Sequence, residues 1–96
     1  MRVFLKTEGT LTLTAAVQKI VSTSTPCAFI WFGPPCSDAG VGSNTEVVRV
    51  GVSATAPLRV VHPANLEGVC VPCDDAFDVT VKGKSTETIN WQIYTF

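Results

Sequence analysis

Charge is scarce in this sequence: 16% of its 96 residues are Asp, Glu, Lys or Arg, and the net charge is −1. The seven basic residues, from Arg2 to Lys84, are scattered. Holding a nucleic-acid backbone takes clustered cations that displace its counterions, so nucleic acid is not expected as a partner. Long apolar runs are missing too. The longest, Cys27-Ala28-Phe29-Ile30-Trp31-Phe32, falls far short of the ~20 residues of a membrane helix, and no membrane partner is expected. The opening MRVFLKTEGT has only three apolar residues after its charge, where a secretory core needs about 7–15. The expectation is synthesis in a reducing cytoplasm, with the four cysteines starting as thiols.

Catalytic signatures are equally thin. His62 is the single histidine, so any Ser/Cys–His–Asp triad has to use it. It sits between Val61 and Pro63, away from any nucleophile elbow, and reads as a solvated turn residue. The glycines of GVGSN lack the Lys and the strand–loop–helix setting of a phosphate loop. Asp74, Asp75 and Asp78 lack the glycine and closing Glu of a calcium loop, and read as a solvated acidic turn. No catalytic residue and no cofactor is expected.

What the chain has is valine and threonine, 14 and 12 of them. Their branched side chains favour strands. Turn residues recur at short intervals, among them Glu8-Gly9, Ala56-Pro57 and Lys82-Gly83-Lys84. In FDVTVK, Phe77, Val79 and Val81 share one face; in TINWQIYTF, Ile89, Trp91 and Ile93 do. Val48, Val50 and Val52 alternate in the same way. CAFIWF is apolar on both faces, as suits a central strand or one whose outer face meets another molecule. Residues 12–21 show weak helical spacing but are short, uncapped and Thr-rich, and are read as strand. Trp31 and Trp91 could stack on a sugar, though Trp91 falls on the apolar face. The pattern predicts one all-β domain over residues 1–96, an antiparallel sandwich, jelly-roll-like, of about seven or eight short strands.

Cys70-Val71-Pro72-Cys73 is the one stretch that resembles a reactive motif. A redox pair needs a helix opening at its first cysteine, to lower the thiol pKa. Here the following DDAFDVTVKG alternates like a strand. A structural zinc site over Cys27, Cys36, Cys70 and Cys73 has only one tight pair where a zinc ribbon has two. Disulfides Cys27–Cys36 or Cys70–Cys73 are open to the chain outside the cell. The plainer expectation is that the cysteines are small buried hydrophobes, with no metal.

The order of signals resembles a known group. TLTLTAAVQKIVSTSTPCAFIWF resembles the opening of small β-sandwich virion proteins of tailed bacteriophages: a Thr-rich strand, then a Ser/Thr-Pro-Cys step into an apolar strand. NTEVVRVG, LRVVHPANLEGVCVP and FDVTVKGKSTETINWQIY are similar to the later strands and closing hairpin of that group. The GPPC loop and two extra cysteines depart from it. The resemblance implies a virion structural protein: a capsid decoration, cement or minor capsid protein on the capsid surface, binding the major capsid protein. A homo-oligomer is expected, trimer ahead of dimer. Candidate contact regions are the N-terminal strand from Arg2 to Lys6, with Arg2 and Phe4, the Gly33–Asn44 loop, with Pro34, Pro35 and Asn44, and the closing Tyr94-Thr95-Phe96, with Tyr94 and Phe96. Two other classes stay open: a receptor- or carbohydrate-binding module of a tail or fibre, and a small metal- or thiol-dependent protein using Cys70 and Cys73.

Overall fold

The polypeptide alternates strands and turns throughout. A computed structural model describes residues 2–37, 39–40, 42–52 and 59–96, so the Ala56-Pro57 turn lies outside the described residues. The strands are β1 (Phe4–Thr12), β2 (Gln18–Lys19), β3 (Phe29–Gly33), β4 (Val48–Gly51), β5 (Arg59–Val61), β6 (Val69–Pro72), β7 (Thr80–Lys82) and β8 (Thr88–Thr95). A 3-10 turn, Ala76–Asp78, precedes β7.

Two four-stranded antiparallel sheets result, in the orders β1-β8-β3-β6 and β2-β7-β4-β5. The pairing is nested. β4 pairs with β5, β3 with β6, β2 with β7 and β1 with β8, like one long hairpin. Two further ladders, β3 with β8 and β4 with β7, roll that hairpin into two layers. Ile30, Phe32, Val71, Ile89 and Ile93 from one sheet meet Val48, Val50, Val61 and Val81 from the other, all buried in one core. Alternation along each strand sends one side chain in and the next out, so each sheet contributes one apolar face. An all-β antiparallel sandwich of eight short strands is therefore observed.

Three local readings are corrected. Residues 12–21 are not one strand: β1 stops at Thr12, Ala15 takes a positive φ of 71°, and only Gln18 and Lys19 rejoin a ladder. Phe77 does not lie in a strand with Val79 and Val81. Asp75 accepts a hydrogen bond from the Phe77 amide and caps the 3-10 turn, pulling Phe77 out of the extended conformation. Val52 leaves the Val48/Val50 face and is exposed. CAFIWF does supply a central strand, flanked by β8 and β6, with Ile30 and Phe32 inward and Phe29 and Trp31 outward.

On the second sheet, Arg49 stands directly opposite Lys82 across β4 and β7, both exposed. With His62 and Lys84 they line a groove of about 860 Å³. Like charges opposed across a ladder cost stability. Lys82→Glu converts the repulsion to attraction and is expected to raise stability by about 0.2–1 kcal/mol at low salt. The gain should fade in about 1 M salt, where screening is strong. Paired thermal melts at the two salt concentrations measure it.

Candidate functional site

Pairing of β1 with β8 assembles the contact candidates from opposite ends of the sequence. Phe4 lies opposite Thr95 and Leu5 opposite Tyr94, with β1 at the sheet edge. The register slips between Leu5 and Thr7, leaving an extra residue in β1. Four large apolar side chains gather at this corner: Val3, Phe4, Leu5 and Phe96, exposed by 40, 53, 47 and 67%. The Arg2 guanidinium lies 5.9 Å from the centroid of the Phe4 ring, a cation–π contact. Tyr94 is half-buried and stacks on Phe29 with ring centroids 4.8 Å apart. Its hydroxyl donates to Gln92 Oε1 at 2.7 Å, which fixes the aromatic floor beneath the corner. An edge strand with free backbone groups and an apolar fringe is suited to pairing with another chain.

The other candidates go elsewhere. Pro34 is buried and Pro35 half-buried. Asn44 is 8% exposed; its amide donates to the Thr88 carbonyl at 2.8 Å and its side-chain oxygen accepts from the Thr88 amide. Asn44 therefore fastens its loop to the start of β8 and is not displayed. Thr88 and Tyr94 are roughly 20 Å apart along the strand, at about 3.3 Å per residue. The seven candidates thus divide into a corner where Arg2, Phe4 and Phe96 are exposed over half-buried Tyr94, and a packed loop at the opposite end. Val3 and Leu5, inside the Arg2–Lys6 strand expected to make contacts, belong to the corner as well.

Trp31 lies on the outer face of the first sheet, its indole N–H donating to the Glu67 carbonyl at 2.7 Å. Beside it a groove of about 440 Å³ is lined by Glu8, Thr10, Asn90 and Gln92. Thr10 donates to Asn90 Oδ1 at 2.8 Å and Gln92 donates to Glu8 at 3.3 Å. Trp91, half-buried, lines the same groove and also packs against the core.

No family model, curated protein or solved structure matches this chain.

The cysteines are placed differently from every pairing the spacing suggested. Cys70 lies within β6, exposed and opposite Trp31, and no helix opens there. Cys36 is exposed on the loop, bridged to Gly42. Cys27 is buried and Cys73 half-buried, with their sulfurs 2.9 Å apart. The expectation of small buried hydrophobes therefore holds for Cys27 alone. Among the described residues, no three His, Cys, Asp or Glu side chains gather as metal ligands. His62 is exposed and its Nδ1 accepts from the Ala64 amide at 3.2 Å.

Two carboxylates hold the loops that frame the sandwich. Asp75 accepts from the Ser24 hydroxyl, the Thr25 amide at 2.7 Å and the Phe77 amide at 2.9 Å. These bonds, the Ser24 one foremost, hold its carboxyl below the usual range. Glu87 accepts from the Thr45 amide and hydroxyl, both at 2.8 Å, and from the Glu46 amide at 3.3 Å. The Thr45 amide is the main cause of its lowered pKa. A carboxyl depressed in the folded state stabilises the fold above its unfolded pKa of about 4. That contribution is lost as pH falls through the lower folded value. Melting temperature should hold steady from about pH 7 to 5 and drop below about pH 4. The Asp75→Asn and Glu87→Gln double variant should show a lower plateau and a shallower acid drop, read in melts across that range.

Proposed function

We propose that the chain is a non-enzymatic virion structural protein, a capsid decoration or cement protein that binds the major capsid protein lattice and stabilises the shell. The observation that carries this reading is the exposed apolar corner of Val3, Phe4, Leu5 and Phe96 on a sheet edge that no other described strand covers. Apolar surface of that kind is kept for a partner. The nested strand order supports it, since two antiparallel layers of four strands are also the plan of the jelly-roll domains of viral capsids and lectins. The resemblance of the strand signals to phage sandwich proteins points the same way. A symmetric shell adds avidity, so a modest contact at each copy suffices. Self-association, trimer ahead of dimer, is part of the proposal. A cryo-EM map of whole particles tests it: the expected result is density for this chain over the head lattice. Absence from the lattice, or a few copies at the portal alone, overturns it.

A second reading is favoured by Trp31. An indole beside Glu8, Thr10, Asn90 and Gln92 offers an apolar plate with hydrogen-bonding groups around it, the chemistry of sugar recognition. This is the receptor-binding module of a tail or fibre. Glycan-dependent quenching of tryptophan fluorescence, abolished by Trp31→Ala, decides for it over the shell reading.

A further inference from the structure

Cys27 and Cys73 are 46 positions apart in sequence, yet their sulfurs meet. A backbone clamp holds them there. The Cys27 amide donates to the Asp74 carbonyl at 3.0 Å, and the Ala76 amide donates to the Thr25 carbonyl at 2.8 Å. Pro26 and Asp75 form an antiparallel bridge that continues the direction of the β3–β6 ladder. The Asp75 carboxylate, bound to Ser24 and Thr25, ties the same two segments a second time. The thiols are therefore brought together by groups other than themselves. Cys70 and Cys73 lack this arrangement: three extended residues span roughly 10 Å, beyond the reach of a disulfide.

We propose that Cys27 and Cys73 are a latent disulfide, reduced where the chain is made and closed by thiol–disulfide exchange once a small-molecule disulfide is supplied. The oxidant is a glutathione-type compound, RSSR. The half-exposed Cys73 sulfur, as thiolate, attacks one sulfur of RSSR and expels RS⁻, giving a mixed disulfide. The buried Cys27 thiolate then attacks the Cys73 sulfur and expels the second RS⁻. Two thiol protons end on the two departing thiolates, and two electrons pass from the protein to RSSR. Cys27 stands where a resolving thiol has to stand, 2.9 Å from the sulfur it attacks.

The environment sets the pace. Burial, followed by the Cys27 contact and the neighbouring Asp74 and Asp75 charges, pushes the Cys73 thiol up to about 12. Thiolate is therefore rare at neutral pH, and closure should quicken roughly tenfold per pH unit between about pH 7 and 10. Chance air oxidation is slow, whereas sustained oxidising conditions lock the pair.

The test uses the full chain with Cys36→Ser and Cys70→Ser, incubated with oxidised glutathione. The expected product is a chain lighter by two hydrogens and not cross-linked to another, with no free thiol and a midpoint raised by about 10 °C or more. Should the double variant fold poorly, peptide mapping of the oxidised native chain answers the same question, with a Cys27–Cys73 peptide expected. Persistent glutathione adducts, cross-linked dimers, an unchanged midpoint, or mapped bonds to Cys36 or Cys70 overturn the proposal. Binding to shells is not measured, so the outcome stands apart from the virion reading.

Discussion

Gly68→Ala is expected to cost roughly 3–5 kcal/mol, a large share of the stability of a domain this size. Gly68 has φ +74°, a conformation an L side chain enters at a cost of about 1–2 kcal/mol. Its Cβ would also strike the Phe32 carbonyl oxygen and stand 2.7 Å from Trp31 Nε1. Backbone cannot swing aside as a flexible side chain can. Phe32 belongs to the core and Trp31 to the outer face, so relief in either direction disturbs packing. Gly40 is the internal control. It has a similar φ of +77°, but a Cβ there meets nothing within 4 Å. Gly40→Ala should therefore cost only about 1–2 kcal/mol. Denaturant unfolding of the two variants separates collision from backbone strain; equal losses would show that the collision is relieved and the reasoning wrong.

The second large effect concerns binding. Phe4→Asp and Phe96→Asp should each weaken attachment to empty shells by about 2 kcal/mol, close to 30-fold. Both side chains are more than half exposed, so folding stability should move by less than about 0.5 kcal/mol. Leu66→Ser, an exposed apolar site outside the corner, should leave attachment unchanged. Co-sedimentation with empty shells measures all three. Native attachment by both aspartate variants would remove the corner from the contact surface and the proposal with it.

Strand alternation was legible because it depends on neighbours two apart. Ile89 and Ile93 read as inward-facing and are fully buried. Pairing was not legible, because it depends on partners far away. Asn44 sits in a run of small polar residues that looks exposed; its true partner, Thr88, is 44 positions downstream. Asp75 read as a solvated turn residue, but its bonds to Ser24 and Thr25 cross 51 and 50 positions. The Cys27–Cys73 contact is of the same kind. Each cysteine follows a proline, but only the register of β3 with β6 makes them neighbours. The corner was half legible: Arg2, Phe4, Tyr94 and Phe96 drew notice as contact candidates, whereas their meeting required the β1–β8 ladder.

Nested pairing also has a kinetic consequence. The β4–β5 ladder closes a short loop, whereas β1 and β8 join residues as distant as Phe4 and Thr95. Loop entropy has to be met before the distant contacts reward it, so refolding is expected on the millisecond-to-second scale of long-range sheets. On that ground β1 is expected to be the strand that arrives last. Until it does, the hydrogen-bonding edge of β8 stands open. A second chain present in that interval offers the same strand to the same edge, so concentration during refolding governs whether β1 completes its own sheet or a neighbour's.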